Sequence, residues 1–322
     1  MRKRLPVFLL VLSLSSICVG PNVGSAEIKS AIELSTGYRV DQFDWNIAGS
    51  LAGTGPNVLS ELKWEDIEIY QVTIGIRTLI REGFYVRGAL GYGRVFDGSN
   101  QDSDFLRSDR TGEYSRSNNS TDGRSVIDAT LGAGYQFTLI SGRLRLIPLV
   151  GFSYHQQNLN ITDGFQTISS AGITPPVGPI RGLASTYETE WAGPWMGLDL
   201  FVPVSEKITL SAVFEYHWSD YEAEANWNLR RDFAHPRSFV HDAEGNGVVL
   251  SVGAEYAFQD RWSLILKANY QKWSTDPGTD RLYFADGTIS DTRLNEVNWE
   301  AFAVVIGVTY RFQIEGLFPK SI

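Results

Sequence analysis

A chain of 322 residues with a formal net charge of −9 and 43% hydrophobic content is long enough for one large domain or two small ones. The acidity argues against nucleic acid as a partner. No apolar run of about 18 residues lies downstream of the N-terminal region, which excludes a helical membrane protein.

Residues 1–26 read as a signal peptide. Arg2, Lys3 and Arg4 precede an apolar run from Leu5 to Val19, and Gly24-Ser25-Ala26 supplies the small residues of a cleavage site. Cys18 lies inside this segment, so the expected mature chain is free of cysteine and of disulfides.

The first expected strand runs from Ile32 to Ile47, followed by a Gly-rich loop from Gly49 to Asn57. The second spans Leu59 to Leu79, with Tyr70, Val72, Ile74 and Ile76 on one face and Gln71, Thr73, Gly75 and Arg77 on the other. Arg81-Glu82-Gly83 turns it into a third strand carrying Phe84, Val86, Leu90 and Tyr92. Asp97 to Gly123 reads as a long polar loop. The fourth strand, Ser125 to Leu139, turns at Ser141-Gly142 into a fifth that presents Leu144, Leu146, Val150, Phe152 and Tyr154. A second long loop carries Pro175, Pro176 and Pro179.

The sixth strand, Thr186 to Val202, turns at Ser205-Glu206 into the seventh, where Ile208, Leu210, Ala212, Phe214, Tyr216 and Trp218 alternate with polar residues. Ser219 to Asn246 is the next expected loop. Val248 to Phe258 and Trp262 to Trp273 then form a hairpin around Gln259-Asp260-Arg261, with Tyr256, Phe258 and Trp262 flanking the turn. Ser274 to Arg293 is a further loop, and the last strand ends Val304, Ile306, Val308, Tyr310 and Phe312.

Side chains in a strand alternate between two faces, so each run has one apolar and one mixed polar face. Ten such strands joined alternately by short turns and long loops give the expected fold. It is all-β, a ten-stranded antiparallel transmembrane β-barrel over residues 27–312, with short periplasmic turns, long extracellular loops and a place in the cell outer membrane. Residues 313–322 form a tail beyond Phe312.

Arg77, Arg87, Asp128, Arg143, Arg145, Asp199, Glu215, Glu255 and Lys267 fall on the inward face, where they must be paired or wetted. Ten strands enclose a narrow interior, which disfavours a large-conductance porin. The loops are acidic: residues 97–122 hold six carboxylates against three arginines, and Ser219 to Asn246 the same. Such charge either solvates exposed loops or makes an anionic mouth that concentrates cationic substrates.

Ser60-Glu61-Leu62-Lys63-Trp64, followed some forty residues later by Asp102-Ser103-Asp104-Phe105, resembles the omptins, ten-stranded outer-membrane endopeptidases. Their pattern has a Leu-x-Trp near the second strand and an Asp-x-Asp-aromatic in the second extracellular loop. The resemblance puts Asp102 and Asp104 in the slot of a carboxylate pair that activates water for attack on a peptide carbonyl. Such a pair can share a proton, and in the family it faces a His–Asp pair. Counting on from Trp218 without gaps, the slots for that second pair hold Ala225 and Trp227, neither of which accepts a proton.

Of the four histidines, His217 is expected to pair with a lumen carboxylate such as Glu215, and His155 to sit at the rim. His235 and His241 lie in a loop, where His241-Asp242 is the candidate to stand over the mouth as a replacement base. The four are too scattered for a metal site, and no cofactor is expected. The chain therefore reads as a surface endopeptidase of the aspartate-pair type if active. The alternatives are a silent barrel that acts as an adhesin or binding protein, or a narrow channel. Lipopolysaccharide is the partner that the resemblance implies. Cationic peptides or a host protein are further candidates, and a monomer is expected.

Overall fold

The computed structural model describes residues 28–81 and 83–314. Residues 1–27, which include the expected signal segment, and residues 82 and 315–322 lie outside them. Fourteen strands, β1 to β14, make up one sheet. β1 (Ile28–Ile47), β2 (Ser60–Ile80) and β3 (Phe84–Arg107) follow one another around a ring. The next stave is broken into β4 (Thr111–Ser120), β5 (Ser125–Tyr135) and β6 (Phe137–Leu139). β7 (Leu144–Ile168) follows, with the two-residue β8 (Gly178–Pro179) beside its top, then β9 (Ala184–Pro203), β10 (Ile208–Asn226) and β11 (Phe239–Ala257). β12 (Trp262–Thr275) and β13 (Gly278–Tyr283) share one stave, and β14 (Ile289–Ile314) is the last.

β14 pairs antiparallel with β1 from Ile28↔Ile314 to Ile47↔Leu294, so among the described residues ten antiparallel staves close into a ring. Closure is what lets strands cross lipid, because every ladder N–H and C=O finds a partner.

The side-chain alternation follows the expected faces. Val72, Ile74, Leu90, Val150, Phe152, Leu250, Val252, Leu266, Phe302 and Ile306 are exposed on the outside. Tyr70 and Phe96 stack there at 4.4 Å, and Trp262 meets Tyr310 at 4.8 Å. An apolar band bounded by aromatics is the surface that a bilayer covers.

Several expectations are corrected. The stretch from Asp97 to Gly123 is not a loop: β3 runs through it to Arg107 and folds back as β4, in register from Ser99↔Ser120 to Arg107↔Thr111. The stretches expected as loops, Ser219 to Asn246 and Ser274 to Arg293, are likewise largely strand, in β10, β11, β13 and β14. Above the membrane the outer face is polar, and in residues 97–120 the inward positions Asn100, Ser117 and Asn119 are polar too although buried, which hides the strand from an alternation pattern. Arg143, expected inside, lies exposed in the short turn before β7.

The lumen is filled in layers. Nearest the short turns, Arg77 pairs with Glu255. Above it, Arg87 bridges Asp199 and Glu215 at 2.9 and 2.6 Å, and its guanidinium lies 4.8 Å from the Trp195 ring. His217 takes Glu215 at 2.9 Å, the partner expected from sequence, and is hydrogen-bonded to Ser153. Next, Arg39 joins Asp41 and Asp128 beneath Trp191, Trp273 and Trp299. A Cβ on Gly132 would meet Trp195 at 2.4 Å, and one on Gly247 would meet Trp273 at 2.3 Å. Glycine at those wall positions makes room for the indoles.

Candidate functional site at the barrel mouth

Above the tryptophan layer lies a cavity of about 660 Å³, open towards the long-loop end. Asp102 and Asp104 are two residues apart on β3 and therefore share a face. β2 places Leu62 opposite Asp102 and Ser60 opposite Asp104, while β4 places Ser117 and Ser115 on their other side. Both carboxylates line the cavity and are half-buried. Desolvation raises the Asp102 carboxyl well above its ordinary range, the negative charge of Asp104 adds to this, and Arg230 opposes it. Asp104 is also raised by desolvation, against hydrogen bonds from Ser60 and Ser115. The pair titrates as a unit and holds a proton to higher pH than a free aspartate.

Facing the aspartates is an arginine rather than a histidine. Arg230 Nε and Nη2 donate to both carboxylate oxygens of Asp232 at 2.9 and 2.7 Å, and its guanidinium lies 4.1 Å from the Phe233 ring centroid. Four aspartates line the cavity against this one arginine. The positions where the resemblance expects a His–Asp pair are apolar: Ala225 is buried, and Trp227 packs edge-on against Phe239 with ring centroids 4.7 Å apart.

The four histidines are engaged elsewhere. His155, expected at the rim, is instead inside the lumen, where Nδ1 meets Asp128 Oδ1 at 2.7 Å and the ring packs on Trp273 and Trp299. It sits on an inward position of β7, and that strand continues far above it. His235 is exposed and bonded to Asn226 and the Arg230 carbonyl. His241 does not stand over the mouth beside Asp242. It is buried under the cavity floor, with Nδ1 2.8 Å from the Tyr187 hydroxyl and Nε2 3.3 Å from Asp280. Tyr187 continues the chain to Tyr221 at 2.6 Å, and Thr292 donates to Asp280.

Neither Arg230 nor the Asp280–His241–Tyr187 chain carries a local sequence signal: Arg230 reaches the aspartates from the loop between β10 and β11, and the other is assembled from β13, β11 and β9. Among the described residues, no group of three or more His, Cys, Asp and Glu side chains is placed to hold a metal ion.

Comparison with solved structures finds the same barrel in the outer membrane protease OmpT from Escherichia coli. The TM-score is 0.74 at 16% identity, over 88% of this chain and 97% of that one. The translocator domain of the autotransporter NalP from Neisseria meningitidis matches with TM-score 0.37 and 13% identity, over 91% and 90% of the two chains. The outer membrane protein OprG from Pseudomonas aeruginosa matches with TM-score 0.32 and 10% identity, over 89% and 96%. No curated protein sequence matches the chain. A family model, Protochlamydia outer membrane protein (Pom), matches residues 33–312. The closed, lipid-banded ring and this match agree: the chain is an outer-membrane β-barrel and belongs to the Pom family.

Proposed function

We propose that the mouth cavity is a surface binding site for a cationic group on an extended chain, such as a basic side chain of a peptide or host protein. The observation that carries this reading is the Asp102–Asp104 pair, half withdrawn from water in a cavity where four aspartates meet one arginine. A guanidinium or ammonium entering there supplies charge-assisted hydrogen bonds to carboxylates that have lost hydration. Trp45, Trp227, Phe233 and Phe239 line the same space and offer aromatic faces to a cation. Arg230, tethered to Asp232 and lying on Phe233, shows the mode with a residue of the chain itself. Binding of a labelled polybasic peptide to the barrel in detergent is expected to weaken about tenfold in Asp102→Asn, the scale of one charge-assisted contact. Unchanged affinity in Asp102→Asn and Asp104→Asn overturns the reading.

A second reading, an omptin-like endopeptidase, has one observation in its favour. Two carboxylates that retain a shared proton are what an aspartic-type centre uses, one as base and one as acid. Cleavage of a fluorogenic peptide that is lost in Asp102→Ala would support it. No cleavage at any pH from acid to mildly alkaline leaves the binding reading alone. Lipopolysaccharide is the proposed lipid neighbour, supported by the apolar band and its aromatic rim. A closed ring without an unpaired edge supports a monomer.

A further inference from the structure

At the short-turn end the lumen opens into a second cavity, about 730 Å³ in volume. Its electrostatics oppose those of the mouth: among the described residues five basic side chains and two acidic ones line it, in a chain whose net charge is −9. We propose that this periplasmic vestibule is a binding site for a phosphate-type oxyanion.

The site is built by five staves. Glu255 on β11 is the central carboxylate. Its Oε2 accepts from Arg77 Nη2 of β2 at 2.7 Å, and its Oε1 accepts from Arg311 of β14. Both oxygens are thereby used. A third guanidinium, Arg145 of β7, forms no ion pair among the described residues. It lies 5.0 Å from the ring centroid of Phe201 on β9, and Arg77 lies 5.7 Å from the same ring.

Three guanidiniums thus gather around one carboxylate and one aromatic ring, which leaves a local excess of positive charge. Like charges this close repel one another, and the repulsion is relieved by a counter-anion. Guanidinium forks match oxyanion geometry and donate in pairs, which favours a ligand with several acceptor oxygens. Phosphate carries about −1.5 to −2 at neutral pH, matching a deficit of three cations over one anion. The donors stand on strands rather than loops, so the geometry is set before any ligand arrives. The phosphate has two possible sources, a soluble phosphate of the periplasm or the headgroup of a lipid in the periplasmic leaflet.

The test follows the thermal unfolding midpoint of the full barrel in an uncharged detergent while inorganic phosphate replaces chloride at constant ionic strength. A saturable rise is expected, because a ligand that binds only the folded state stabilises it. Arg145→Gln, which breaks no ion pair, is expected to need about ten times more phosphate for the same rise. Arg107→Gln, an exposed arginine at the opposite end, is expected to respond as the parent does. Should Arg145→Gln fail to fold, Arg145→Lys keeps the charge, loses the fork, and is expected to respond more weakly than the parent. Repeating the titration in phosphatidylglycerol nanodiscs separates the sources. A retained response identifies soluble phosphate, while a response lost only there identifies the headgroup already seated. Phosphate acting no differently from chloride in detergent, or a substituted Arg145 responding in full, overturns the proposal.

Discussion

Trp273 and Trp299 are register partners across the β12–β14 ladder and stack with ring centroids 5.5 Å apart, 16° from parallel. Both are fully buried, and Trp299 Nε1 donates to Asp41 Oδ2 at 3.0 Å. Trp191 at 5.7 Å from Trp273 and His155 at 4.9 Å complete the layer. Trp299→Ala is therefore expected to lose roughly 3–5 kcal/mol through the cavity it leaves. Trp299→Phe should cost less, since Asp41 keeps its bonds from Arg39 and Gln157. Urea unfolding of the barrel in phospholipid vesicles measures both, and equal losses would show that the indole N–H, rather than packing, dominates.

The acid pair at the mouth gives a pH-dependent prediction. The folded-state affinity of Asp102 for its proton is raised, chiefly by desolvation. Its contribution to stability is therefore full at low pH and is lost as pH rises from the ordinary aspartate range through the raised value. Asp102→Asn removes that loss. It is expected to stabilise the barrel by on the order of 1 kcal/mol at pH 8, with the advantage vanishing towards pH 4. Unfolding midpoints across this range measure the trend, and a benefit confined to low pH would contradict it.

Arg87 tests the lumen network. It is the shared partner of Asp199 and Glu215, both buried. Arg87→Met leaves two carboxylates without their cation and should cost roughly 3–5 kcal/mol. Adding Asp199→Asn to that variant is expected to restore part of the loss, because one uncompensated charge is removed. A double variant weaker than the single one would mean that Asp199 has another essential role.

The lipid face is tested from outside. Val252 is 60% exposed on β11, and its register partner Ala268 lies on the adjacent stave. Val252→Arg is expected to cost about 2–4 kcal/mol if the position lies near the bilayer midplane. The same change at Glu244, above the apolar band on the same strand, should be nearly neutral. Folding yield into vesicles of defined thickness discriminates the two.

The amino-acid sequence by itself determined the ring. Alternation such as Leu210, Ala212, Phe214 and Tyr216 against Ser211, Val213 and Glu215 assigns one face to lipid and the other to the lumen. The short turns at Arg81, Ser141-Gly142 and Gln259-Asp260-Arg261 then fix the order of the staves. Strand length escaped the same reading. In residues 97–120 the outer face is polar and most inward positions, such as Asn100, Ser117 and Asn119, are polar as well, so the period-two signal disappears although the ladder continues.

The mouth was half legible. Asp102 and Asp104 stand out because residues two apart on a strand share a face, and the absence of a proton acceptor at Ala225 and Trp227 is visible in the sequence. Only the tertiary structure brought Arg230 opposite the aspartates, buried His241 against Tyr187 and Asp280, and drew His155 from the expected rim into the tryptophan layer. Each of these depends on the register between neighbouring staves, such as His241 opposite Asp280, or on how a loop folds over the mouth, as for Arg230. Register between strands tens of residues apart in sequence is a tertiary relation, and no local spacing encodes it.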